Sequence, residues 1–206
     1  MNTGPPITQA LESLRAFHIS ISNLLGTADS LMLDSGASLH PKGVNNAITH
    51  QSAVLRRPQH WMPEFVFRWY AIEQPPKTPH QPEKAAYVSV ILLPRDTTND
   101  ATQVRPFREP LVSCGIAHFH NGVPAQSTQL YHRARAILWT PKPAEGFWGF
   151  HWPCPVKHGP IVIESGAVPL TCVDTTDALK SLVIDPLLAR IKATEGMDPM
   201  WTPPTG

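Results

Sequence analysis

Cysteine is scarce in this chain of 206 residues: Cys114, Cys154 and Cys172 are an odd number with no Cys-x-x-Cys spacing. That excludes a secreted disulfide framework and a zinc ribbon and leaves a reducing compartment, so a cytoplasmic location is expected. Charge is scarce too, at 16% of residues against about 25% in an ordinary soluble domain. Much of the surface must be neutral, which leaves room for a partner to cover part of it. The net charge of +1 supplies no field of one sign, and this disfavours a general nucleic-acid coat or a binder of acidic membranes. Long apolar runs are missing: the longest, 88–93, contains Ser89, whereas a bilayer needs about 20 apolar residues. Met1 to Pro6 carries no basic stretch followed by an apolar core, so no signal peptide is expected. Also absent are GxxxxGK followed by Ser or Thr, GxGxxG and GxSxG, which removes the usual sequence basis for a nucleotide cradle or a serine nucleophile elbow.

Proline, by contrast, is abundant. Twenty-three prolines make about 11% of the chain, roughly twice the usual share. They sit beside aromatic and aliphatic runs, a pattern of many short rigid connections between packed elements. A chain of this length buries roughly 70% of the surface its unfolded form exposes, enough for one core without metal or disulfide staples. One domain over 1–195 is expected, with a mobile tail over 196–206.

The clearest periodicity runs from Ile7 to Met32. Ile7, Leu14, Ile21 and Ala28 fall on one line, with Ala10, Phe17, Leu24 and Leu31 three residues on from each. Leu11, His18, Leu25 and Met32 lie on the same side. This predicts a helix with a wide apolar stripe about 39 Å long, entered at Pro5-Pro6 and left at Asp34-Ser35-Gly36. Few domains of this size cover such a stripe from end to end, so Leu14, Ile21, Leu24 and Leu25 are candidates for contact with another protein chain or a second copy.

A short helix is expected over Val44–Leu55. Strands are predicted at 64–72, 87–93, 111–119, 133–140, 146–152 and 160–164, from β-branched and aromatic runs bounded by Pro, Asn and Gly. In the first, Phe65, Phe67, Trp69 and Ala71 share a face. In Phe147 to Trp152 both faces are apolar, which predicts burial on both sides or an aromatic platform. Pro141, Pro143, Pro153 and Pro155 are read as strand stops. Asp174 or Thr175 caps a helix over Asp177–Ile184, and Asp185-Pro186 restarts it toward Lys192. The sum is an α+β fold, with a mostly antiparallel sheet of five to six strands, a long N-terminal amphipathic helix and short C-terminal helices packed on it.

The best chemical constellation is Cys114-Gly115-Ile116-Ala117-His118-Phe119-His120. On a strand Cys114, His118 and His120 project to one side, and thiolate and imidazole both bind transition metals. The His-x-His resembles the strand-borne motif of cupin-type metalloenzymes, but that motif needs a glutamate four or five residues on, where Pro124 and Ala125 stand, so the resemblance fails at the carboxylate. Arg133 and Arg135 on one strand face beside Trp139 could meet phosphates and stack on a base.

Three functions are ordered by these features. First is a non-catalytic adaptor or accessory subunit that binds protein, because no catalytic set is complete and no cofactor is required. Second is a small metal-dependent hydrolase or oxygenase using His118 and His120, and third is a nucleic-acid-binding component.

Overall fold

The computed structural model describes residues 6–40, 48–49, 65–72, 83–92, 110–119, 123, 150–156 and 159–194. The expected strand at 133–140, with Arg133, Arg135 and Trp139, lies outside them, as do His120 and the 196–206 tail. Helix α1 (Pro6–Asp34) follows the apolar period. It ends where Gly36 takes φ +90°, a conformation that residues with a Cβ rarely adopt. There the Gly36 N–H reaches the Leu33 carbonyl at 3.0 Å and the Ala37 N–H the Met32 carbonyl at 3.1 Å, the paired bonds of a Schellman stop.

Among the described residues seven strands follow: β1 (Ser38–His40), β2 (Ile48–Thr49), β3 (Phe65–Ala71), β4 (Glu83–Ile91), β5 (Leu111–Phe119), β6 (Phe150–Val156) and β7 (Gly159–Pro169). Five are long, with seven to eleven residues each. All pairs are antiparallel in the order β1-β3-β4-β5-β7-β6, and β2 pairs β3 beside β1. The fold is α+β.

Local expectations yield to tertiary pairing in three places. Ile48 and Thr49, expected within a helix, instead lie opposite Phe67 and Val66 of β3; both are β-branched and suit a strand. Strand β4 starts at Glu83 rather than at Tyr87, because Ala85 and Ala86 have ready partners in Ala71 and Tyr70 on one side and in Ala117 and Ile116 on the other. Pro153 and Pro155 do not stop β6 but lie within it. They are two residues apart, so their missing N–H groups share one side of β6, which pairs β7 and is the last strand of the order among the described residues.

After β7 a 3-10 turn (Leu170–Cys172) leads to α2 (Thr176–Leu179), a π turn (Lys180–Ile184) and α3 (Asp185–Ala193). Thr175 is the cap, its Oγ1 accepting the Ala178 N–H at 3.1 Å. Pro186 has no N–H for the Leu182 carbonyl, and its ring would crowd that group. The wider π turn directly before it carries the helix past without a break, with the Asp185 N–H bonded to the Lys180 carbonyl.

The described helices pack on one face of the sheet. Ile21, Leu25, Ala28 and Met32 of α1 meet Tyr70, Val88, Val112 and Ile116 of the strands, together with Leu179, Val183 and Leu187. Each Leu, Ile, Val or Met of this set contributes about 1.5–3 kcal/mol by leaving water. An ionic clamp fixes α1 across β3: Arg68 donates to Asp29 through Nε at 3.0 Å and Nη2 at 2.5 Å, and the Tyr70 hydroxyl donates to the same carboxylate at 2.9 Å. The other face carries an aromatic layer. Phe65, Phe67 and Trp69, on the face expected of them, join Tyr87 and Phe119 with ring centroids 5.2–6.1 Å apart.

Candidate functional site

Two places concentrate polar or unburied groups. The first lies under the C-terminal end of α3. His118 on β5 and Glu164 on β7 project to the helix side, and His118 Nε2 stands 3.1 Å from Glu164 Oε1. The second oxygen of Glu164 accepts the Arg190 Nε–H from α3. Beside them Lys84, opposite His118 in the β4–β5 register, donates through Nζ to the Thr194 carbonyl at the helix end. His118 and Glu164 are 1% and 3% exposed, so the carboxylate is held away from water between an imidazole and a guanidinium. A buried carboxylate with both oxygens engaged works as a tie between β5, β7 and α3.

Period two puts Cys114 on the same face as His118, as the sequence predicts, but the two do not converge. They are four residues apart on one strand, about 13 Å at the usual rise. The Cys114 thiol points to the Val183 carbonyl in the π turn at 3.5 Å, and burial pushes its pKa up, which keeps it protonated. Among the described residues no group of three or more His, Cys, Asp or Glu is placed to hold a metal ion.

The second place is the N-terminal half of α1. The apolar stripe continues at the same helical angle from Met32 back to Ile7, yet the buried residues begin only at Ile21. Leu11 is 60% exposed, and Leu14 and Phe17 are half-buried. Of the four expected docking residues, Ile21 and Leu25 are core residues of this chain at 5% exposure each, whereas Leu14 and Leu24 are half-buried. Next to the stripe runs a groove of about 480 Å³, with Phe17, Ile21 and Leu24 on one wall and Leu170, Val173 and Leu179 on the other.

Comparison with protein-family models, with curated proteins and with solved structures gives no match. The reading of this chain therefore rests on its own residues.

Glu164, Arg190 and Lys84 were not singled out from the sequence. The available signal was a lone acid at the end of the apolar run Ile161-Val162-Ile163. Its partner His118 follows only once the register Ile116 opposite Glu164 is known. No helix among the described residues is long and apolar enough to cross a membrane.

Proposed function

We propose that this chain is a non-catalytic accessory subunit that docks another protein chain through the N-terminal half of α1. One observation carries the reading: the stripe is apolar from Ile7 to Met32, while its burial starts at Ile21. Over the turns before Ile21, Leu11 is exposed while Leu14 and Phe17 are only half-buried. A contiguous apolar surface of this kind marks an interaction site more often than a bare surface. The low share of charged residues supports it, as does the adjoining groove, which exposes Phe17, Leu24 and Leu170 among polar side chains. The buried His118–Glu164–Arg190 tie supports it from the other side, because those groups are already used to hold α3 on the sheet.

The test separates docking from packing by position. Leu25→Ala should lower the stability of the isolated chain by about 2–5 kcal/mol, as for other buried leucines. Leu11→Glu should leave melting nearly unchanged and release whichever chain co-purifies stoichiometrically at native expression level. If Leu11→Glu retains that chain, or alters only the melting of a protein that binds nothing, the proposal fails.

A further inference from the structure

We draw no further inference here: the strongest candidate, the groove between α1 and the start of α2, is lined as much by polar as by apolar side chains and continues the α1 surface already described, and nothing in the structure shows what covers either.

Discussion

Gly115 sits in the middle of β5, opposite Tyr87 on β4 and Ser165 on β7. A Cβ placed there would come within 2.2 Å of the Glu164 carbonyl oxygen and 2.8 Å of the Tyr87 ring and hydroxyl. The Tyr87 ring cannot move away cheaply, since it is fully buried and lies 5.3 Å from Phe67 and 5.4 Å from Trp69. Nor can the carbonyl, which belongs to the strand paired with β5. Overpacking of this kind costs about 1–3 kcal/mol where side chains can yield, and a backbone contact puts Gly115→Ala at the upper end. The gain from a stiffer unfolded chain, about 0.4–1 kcal/mol, opposes it without reversing it. A net loss of about 2–3 kcal/mol should lower Tm by about 4–12 °C in a chain of this size. The Tyr87 hydroxyl lies beside Ser113 and Ser165 but meets neither in hydrogen-bonding geometry. Tyr87→Phe alone should therefore be neutral or slightly stabilising, and it should not rescue Gly115→Ala, whose shortest contact is to backbone. Calorimetry or thermal circular dichroism on the three variants decides. A Gly115→Ala protein melting within about 1 °C of wild type would refute the β5–β7 register, because the predicted loss is several times that shift.

Two further outcomes follow from burial. Cys172 is exposed and Cys114 buried with its thiol held protonated, so a thiol reagent at neutral pH should modify Cys172 quickly and Cys114 only on unfolding; rapid labelling of Cys114, read by mass spectrometry, would contradict its position under the π turn. Burial raises the phenols of both Tyr70 and Tyr87 above their ordinary value, with the Asp29 carboxylate adding to the shift at Tyr70. The folded chain thus keeps two protons that the unfolded chain loses near pH 10. Stability should be level below that and fall above it, with a limiting slope of about 2.7 kcal/mol per pH unit. Urea midpoints from pH 8 to 11, with phenolate absorbance, test this; native-state ionisation of all three tyrosines near pH 10 would exclude it.

What could be read from the sequence follows the range of the forces involved. The α1 stripe, the Gly36 stop, β5 and the Thr175 cap are set within a few residues, and each was legible from spacing or a single residue type. The first residues of β4 do not read as strand locally, because Lys84, Ala85 and Ala86 have little β preference of their own. They are strand only because β3 and β5 flank them, and that pairing is invisible in a local window. Pro153 and Pro155 misled for the same reason: a proline breaks an interior strand but is harmless on one whose N–H side has no partner, and position in the sheet order cannot be read from the strand itself.

The candidate site divides along the same line. That Cys114 and His118 share a face follows from the alternation of a strand, and it held; that they cannot meet follows from the rise along that strand, about 3.3 Å per residue. What His118 does instead depended on bringing Glu164 across from a strand 46 residues away and Arg190 from a helix further on. Partners that distant are chosen by topology, so residue type alone could offer only a list of what an imidazole might bind. The α1 surface shows the converse. The stripe was legible, but its division was not, because heptad spacing treats Leu14 and Ile21 alike. Only the tertiary packing decides that Ile21 is core, Leu14 half-buried and Leu11 exposed. An apolar pattern whose burial is uneven along one helix thus becomes readable only once the elements packed on it are placed, and it is this unevenness on which the proposed docking surface rests.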